Sequence, residues 1–162
     1  MRYALIRQMD ISNGKGVGIS LFVQGCHFHC KGCFNPETWD FNEGKEWTKE
    51  IEDQFIKLAE NHYITRISIL GGEPFAPENR DSVIGLCKKL KEKYPNKTIW
   101  IYTGYALEHL DFPLDFGVDI LVDGQFEADK SDIRLKFRGS VNQRLIDVKE
   151  TLKQNKIVTI QN

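Results

Sequence analysis

GISLFVQGCHFHCKGC, residues 18–33, joins an apolar run to three closely spaced cysteines. Its first part is rich in apolar and β-branched residues and stops at a glycine, which predicts a buried strand over residues 19–25. Three later stretches share these properties and also end in glycine: ITRISILGG (64–72), KTIWIYTG (97–104) and VDILVDG (118–124). We therefore expect four buried strands, each leading into a turn.

Segments with helical periodicity lie between the predicted strands. Residues 47–62 repeat apolar side chains at helical spacing behind Thr48, a residue type that often caps helices. Residues 81–95 repeat them again and stop at Pro95. Strands that alternate with helices predict right-handed βα units, so the fold class is α/β, with a mostly parallel sheet and the helices outside it.

The length of the chain limits how much of a βα architecture it can build. A complete eight-stranded barrel takes about 250 residues, whereas this chain has 162. We expect one domain over residues 1–162, folded as a partial, open barrel. Residues 126–150 are polar and irregular, which predicts loops or short helices, and residues 156–161, KIVTIQ, predict a final strand.

Charge and hydropathy exclude several kinds of partner. The 22 basic and 23 acidic residues give a net charge of -1 and are spread along the chain. A nucleic-acid backbone or an anionic membrane is bound by a concentrated basic surface, which this sequence does not predict. No apolar run approaches the roughly 18 residues of a membrane span. We expect a soluble cytoplasmic protein with neither nucleic acid nor membrane as its partner.

The spacing of Cys26, Cys30 and Cys33, CxxxCxxC, is the strongest functional signal in the chain. Cysteines this close are poorly placed for disulfides with one another and better placed to converge on a metal centre. Three thiolates can hold three irons of a 4Fe-4S cluster and leave the fourth iron open to a substrate. Cys87 lies on the apolar stripe of the second predicted helix, which favours a buried, inert thiol.

A zinc site is the alternative interpretation of the three cysteines. His27 or His29 would complete a tetrahedral set of ligands, and the protein would then be a non-enzymatic, zinc-stabilised binding module. The second pair of ligands that zinc knuckles bring from about 12 to 20 residues away is missing here. A plain electron carrier is disfavoured because a fourth cysteine ligand is also missing.

The triplet followed by Phe34 resembles the signature of the radical S-adenosylmethionine superfamily. The sequence Gly71, Gly72, Glu73 and Pro74 then resembles the superfamily's GGEP turn, where carbonyls or Glu73 accept hydrogen bonds from the methionyl ammonium group. The resemblance implies a radical S-adenosylmethionine type of barrel with two cofactors, a 4Fe-4S cluster and S-adenosylmethionine. It also implies that a substitution at Gly72 crowds the bound cofactor.

The same resemblance assigns further cofactor contacts. Phe34 is expected beside the adenine, and Gly32 in the cysteine loop is expected to contact the cofactor as well. The hydroxyl of Thr103, at the end of the third strand, is expected to bind the ribose or the methionyl carboxylate. Residues 13–18, NGKGVG, lack the Gly-Lys-Ser/Thr ending and the following helix of a phosphate loop, so we expect a turn beside the cluster instead.

Residues 18–40, 122–126 and 138–144 resemble stretches of the activating component of anaerobic, class III ribonucleotide reductase. The resemblance implies an oxidoreductase that cleaves S-adenosylmethionine reductively and makes a glycyl radical on the large reductase subunit. Its electron would come from a low-potential donor such as a flavodoxin. An activase of another glycyl radical enzyme, of the pyruvate formate-lyase type, is the nearest alternative. The roles of Asp123 and of residues 138–144 stay open.

Overall fold

The computed structural model describes residues 1–161, which form one seven-stranded sheet and three α-helices. The strands are β1 (Arg2–Asp10), β2 (Gly18–Val23), β3 (Lys45–Glu46), β4 (Arg66–Gly71), β5 (Thr98–Tyr102), β6 (Ile120–Asp123) and β7 (Arg144–Asp147). The helices are α1 (Lys49–Leu58), α2 (Arg80–Lys93) and α3 (Val148–Gln154). Three short 3-10 turns lie in the connections.

The strand order across the sheet is β3-β1-β2-β4-β5-β6-β7. The four central strands, β2, β4, β5 and β6, are parallel and are the four that the sequence predicts. Strands β1 and β7 flank them in antiparallel orientation, and β3 pairs with the outer edge of β1. The α/β class and the mostly parallel sheet are confirmed, and the sheet is open.

Helices α1 and α2 cover one face of the sheet. Helix α1 begins where the sequence indicates, because the Thr48 hydroxyl accepts a hydrogen bond from the Ile51 amide at 3.2 Å. Helix α2 ends two residues before Pro95, as the sequence also indicates. Strand β2 is buried along its whole length, which explains its continuous apolar run. Within residues 1–161, no helix combines the length and the apolar character that crossing a bilayer requires.

The other face of the sheet is partly covered by residues 124–143, which we call the cover segment. Phe137 of this segment packs against Trp100 of β5 with ring centroids 5.4 Å apart. A bridge between Ser131 and Ser140 folds the segment back on itself. It therefore closes one side of a cavity between itself and the sheet.

Strands β1, β3 and β7 were not predicted from the sequence. In strand β1 the charged residues Arg2, Arg7 and Asp10 interrupt the apolar residues, and this hid the strand pattern. Strand β7 and helix α3 lie within or directly after residues 126–150, for which loops or short helices were expected. The predicted final strand, residues 156–161, is reduced to a single bridge between Thr159 and Ile146 at the edge of β7.

A buried ion pair fixes the turn between β1 and β2. Arg66 is fully buried, and its guanidinium lies 3.7 Å from the Asp10 carboxylate and donates to the Asp10 and Asn13 carbonyls. Residues 13–18 fold around this arginine at the amino end of β2. The expectation of a turn beside the cysteines is wrong, because the cysteines follow the opposite end of β2.

Hydrogen bonds to Asp10 offset its burial. Burial raises the pKa of Asp10, but hydrogen-bond donors from Ser20, Ser12 and Asn13 outweigh this effect and lower the pKa to about 2.

Asp10→Ala would leave the buried Arg66 without its counter-charge, and we expect a loss of about 3 kcal/mol or more in the free energy of unfolding. Asp53→Ala, which breaks an exposed pair with Lys49, should change it by less than about 1 kcal/mol.

Urea denaturation of the two variants beside wild type checks this expectation. Equal, small effects of the two substitutions would show that the buried pair does not hold the turn.

Candidate metal and cofactor site

The cysteine loop, residues 24–39, follows β2 directly and is held at its base by backbone hydrogen bonds. The Gly25 amide donates to the Thr38 carbonyl at 2.7 Å, and the Cys26 amide donates to the Trp39 carbonyl at 3.1 Å. Inside the loop the Cys33 amide donates to the Cys30 carbonyl at 3.1 Å. All three thiols are free and partly exposed, and they line one cavity.

Each of the three sulfurs accepts a hydrogen bond from a backbone amide. Cys26 receives the amides of Phe28 and His29, Cys30 receives that of Phe126, and Cys33 receives that of Asn35 at 3.4 Å. Such amides stabilise the thiolate form, which is the form that binds a metal.

Burial and hydrogen bonding act in opposite directions on these thiols. Burial raises the pKa of Cys26 and of Cys30, and the backbone amides lower it again in part. At Cys87 burial is the main influence on the pKa and raises it strongly. The Cys87 thiol is fully buried on the core side of α2. The expectation that Cys87 is buried is confirmed.

The two histidines of the loop are engaged away from the sulfurs. His27 Nε2 lies 2.8 Å from a Glu78 carboxylate oxygen, and its ring packs on Phe41. The His29 ring stacks on Trp39 with centroids 4.5 Å apart. Over residues 1–161, no three His, Cys, Asp or Glu side chains converge as the ligands of a single ion would. Both histidines are thus engaged with other side chains, which does not favour either of them as the fourth ligand of a zinc ion.

The GGEP turn lies directly against the base of the cysteine loop. The Gly72 amide donates to the Val23 carbonyl at 2.8 Å, and the Glu73 amide donates to the Gly25 carbonyl at 2.7 Å. A Cβ atom at Gly72 would stand 2.5 Å from the Gly25 carbonyl oxygen. Because Gly72 has no side chain, the two backbone segments can approach each other this closely. A side chain at Gly72, which was expected to crowd a bound cofactor, would first collide with the backbone of Gly25.

The side chains of Glu73 and Thr103 bind each other. The Thr103 hydroxyl donates to the Glu73 carboxylate at 2.6 Å, and the amides of Phe75 and Gly104 donate to it at 2.9 and 2.7 Å. The Thr103 hydroxyl also accepts from the Tyr105 amide at 3.1 Å. Both residues line the cavity, but their polar atoms tie the end of β4 to the end of β5.

The cavity has a volume of about 590 Å³, within the range of small-molecule sites. It brings together nearly all the predicted site residues: Cys26, Cys30, Cys33, Phe34, Gly71, Gly72, Glu73 and Thr103. Gly32 does not line it and packs towards Phe126 and Ala128 instead. Phe34 is 70% exposed with its ring 4.9 Å from that of Phe126, so it is not a core aromatic.

The residues left open by the sequence shape the cover segment. Arg144 binds the buried Asp123 carboxylate at 2.5 Å and Glu108 at 2.6 Å. The Gln143 carboxamide accepts from the Gly139 amide at 2.8 Å and donates to a carbonyl at the start of the segment. Arg138 and Gln143 of the same stretch also line the cavity, and Arg138 donates to the Gln143 carbonyl.

Several residues that line the cavity had no role assigned from the sequence, among them Arg7, Phe28, Gln125 and Phe126. Phe28 stands between the two loop histidines and packs on Tyr105, with ring centroids 4.8 Å apart. Gln125 and Phe126 stand in one of the stretches of family resemblance, and this was the available signal. The guanidinium of Arg7 lies over the Phe22 ring at 5.1 Å. Gln125 and Phe126 approach the cysteines because the cover segment carries them there, and the sequence does not define the path of that segment.

Comparisons with known proteins match most of the chain. A family model described as a 4Fe-4S single cluster domain matches residues 12–146. An anaerobic ribonucleoside-triphosphate reductase-activating protein of Vibrio cholerae is 40% identical over 149 residues, which are 88% of this chain and 96% of that protein. This chain belongs to that family of activating proteins.

Two further members of the activating-protein family show a comparable similarity. The Escherichia coli protein of the same name is 40% identical over 148 residues, with 88% of this chain and 96% of that protein covered. The Pasteurella multocida protein is 36% identical over 151 residues, with 88% and 95% covered. The family resemblance that the sequence motifs indicate is therefore confirmed.

Gly72→Ala in this member of the family should damage the contact between the GGEP turn and the cysteine loop. We expect a loss of about 1 to 3 kcal/mol in the free energy of unfolding, since a Cβ must push two backbones apart. Gly85→Ala is the matched control, because it adds a Cβ inside α2 with nothing within 4 Å. It should stabilise the protein by about 0.5 to 1 kcal/mol. Urea denaturation measures both, and a neutral Gly72→Ala would contradict the contact.

Glu73 should make stability depend on pH. Burial raises its pKa from 4.5 to about 7 although three hydrogen bonds lower it. The folded state therefore holds a proton that the unfolded state has released, and this stabilisation is fully present below pH 4.5 and is lost as the pH rises through 7.

Glu73→Gln cannot titrate, so its unfolding free energy should fall less steeply than that of wild type between pH 5 and pH 7 in parallel denaturation series. The same slope in both proteins would show that the Glu73 carboxyl does not carry this dependence.

Proposed function

We propose that this chain is the activating enzyme of an anaerobic ribonucleoside-triphosphate reductase and forms a glycyl radical on the large reductase subunit. The observation that carries the proposal is the set of three free thiols on one cavity, each with a backbone amide directed at its sulfur. The names of its relatives supply the partner.

Cys26, Cys30 and Cys33 would hold three irons of a 4Fe-4S cluster. The donor set fits, because three partly exposed thiols with amide donors suit an anionic cluster that needs thiolate ligands. When bound and reduced by one electron, the cluster supplies the electron that splits S-adenosylmethionine into methionine and a 5'-deoxyadenosyl radical. Four free cysteines also fit a reducing compartment, and we place the protein in the cytoplasm.

S-adenosylmethionine would occupy the cavity between the cysteine loop and the GGEP turn. Main-chain acceptors of Gly71 and Gly72 are the preferred partners of the ammonium group, because the Glu73 carboxylate already accepts three hydrogen bonds. Thr103 would contribute by holding Glu73 in place. The exposed Phe34 ring would pack on the adenine. Gly32 would act through the loop, since it does not line the cavity.

The reductase segment would reach the cavity through the open side of the sheet. We place the chain as one radical S-adenosylmethionine domain with a partial barrel, and the open sheet and the partial cover over one face support this. Exposed apolar side chains stand around the opening: Phe34 is 70% exposed and Ile133 is fully exposed. A peptide loop bound there would exclude water from the reacting atoms.

A low-potential donor such as a flavodoxin would supply the electron. The cysteine loop lies at the surface, and Lys31 beside Cys30 is exposed. One electron would be consumed for each S-adenosylmethionine that is cleaved. The donor would dock close to the cysteine loop, because the cluster would lie there.

The test combines the reconstituted protein with its reductase subunit, S-adenosylmethionine and dithionite under anaerobic conditions. We expect the EPR doublet of a glycyl radical on the reductase and one equivalent of 5'-deoxyadenosine per radical. A parallel reaction with a pyruvate formate-lyase tests the alternative partner. A radical on the lyase alone would reassign the partner, and no product with either would overturn the activity.

Alanine at each ligand should abolish the chemistry. We expect Cys26→Ala, Cys30→Ala and Cys33→Ala each to lower 5'-deoxyadenosine formation by at least about 100-fold, because an iron loses its thiolate ligand. Cys87→Ala should keep most of the activity and cost only about 1 kcal/mol of stability, since it removes one buried sulfur. Full activity in any of the three ligand variants would refute the ligand assignment.

A further inference from the structure

Gln125 of the cover segment is the side chain from outside the cysteine loop that hydrogen-bonds a ligand sulfur. Its Oε1 lies 3.8 Å from Cys30 Sγ. The backbone at this point is held in place, because the Asn142 side chain donates to the Gln125 carbonyl at 2.7 Å. The amide of the next residue, Phe126, is directed at the same sulfur. The cover segment thus contributes a side chain and a backbone amide at the Cys30 sulfur.

The chemistry of the sulfur decides which end of the carboxamide faces it. A protonated Cys30 thiol donates to Oε1, as the structure has it. A sulfur bound to iron has lost its proton and can only accept a hydrogen bond. Over residues 1–161 the Gln125 carboxamide has no other hydrogen-bond partner and is exposed, so it is free to turn its Nε2 group to the sulfur.

We infer that Gln125 is a positioning residue that donates an N–H to the iron-bound Cys30 sulfur and thereby raises the reduction potential of the cluster. One-electron reduction adds one negative charge to the cluster and its sulfurs. An N–H group placed where Oε1 now lies, 3.8 Å from the Cys30 sulfur, stabilises the reduced form more than the oxidised form. The inference rests on the proposed function, because it needs the cluster on these three cysteines.

Gln125 differs in kind from the other donors of the site. The amides at Cys26 and Cys33 belong to the cysteine loop itself, so no substitution removes them without remaking the loop. A side-chain donor can be changed by itself. It also links the potential to the position of the cover segment, because Asn142 and Gln143 hold that segment in place.

Redox titration followed by EPR tests the inference on the reconstituted full chain. We expect Gln125→Leu to lower the equilibrium constant for cluster reduction about three-fold, which equals about 30 mV for a one-electron couple. Gln125→Glu should lower it further, because it replaces the donor by a negative charge. Gln54→Leu is the matched control on the outer helix α1, where the side chain is exposed, and it should leave the potential unchanged.

A second readout separates the hydrogen bond from a general change in solvation. Protein grown with glutamine labelled with 15N in its side-chain amide should show a weak 15N hyperfine coupling to the reduced cluster. The coupling should vanish in Gln125→Leu and Gln125→Glu and persist in Gln54→Leu.

Two sets of outcomes distinguish this inference from the proposed function. A normal cluster spectrum with no glutamine coupling, or with the potential of wild type in both Gln125 variants, would overturn the role of Gln125 and leave the cluster assignment intact. Iron content far below about four per chain in wild type would overturn the cluster assignment itself. The iron content of each variant is measured alongside, so that a loss of loading is not mistaken for a shift in potential.

Discussion

The contact between the backbones of Gly25 and Gly72 is the constraint on which the site depends. Two hydrogen bonds, from Gly72 to Val23 and from Glu73 to Gly25, join the end of β2 to the turn after β4. Parallel neighbouring strands deliver both segments to the same edge of the sheet. Because a Cβ would not fit between them, the cysteine loop and the GGEP turn contact each other through glycines and backbone atoms.

Electrostatics at this edge is arranged by backbone amides and buried carboxylates. Amides directed at the three sulfurs favour thiolates without placing a fixed positive charge beside them. The buried Glu73 carboxylate ties β4 to β5 through the Thr103 hydroxyl and the Gly104 amide. At the far end of the sheet, Arg66 and Asp10 hold the turn that contributes Ser12 and Asn13 to the cavity lining. Buried polar networks of this kind are stable only when nearly every member is paired.

The central strands and both outer helices were predictable from the sequence, because they carry continuous apolar runs or helical periodicity bounded by turn residues. The cysteines and the GGEP turn, which line the cavity, were recognisable as motifs. Strand β1 was missed because charged residues interrupt its apolar residues, and residues 156–161 pair through one bridge where a strand was expected. The side-chain roles of Glu73 and Thr103 depend on the distance between two strand ends, which no local pattern encodes. The contact between Gln125 and Cys30 spans 95 residues and depends on the path of the cover segment.

We propose that three cysteines hold a cluster and leave one iron open to S-adenosylmethionine. This is tested by EPR of the dithionite-reduced, anaerobically reconstituted chain, recorded with and without S-adenosylmethionine and beside an iron and sulfide analysis. We expect about four irons per chain and a reduced-cluster signal whose shape changes when S-adenosylmethionine is added. One zinc per chain, or a signal that S-adenosylmethionine leaves unchanged, would contradict it.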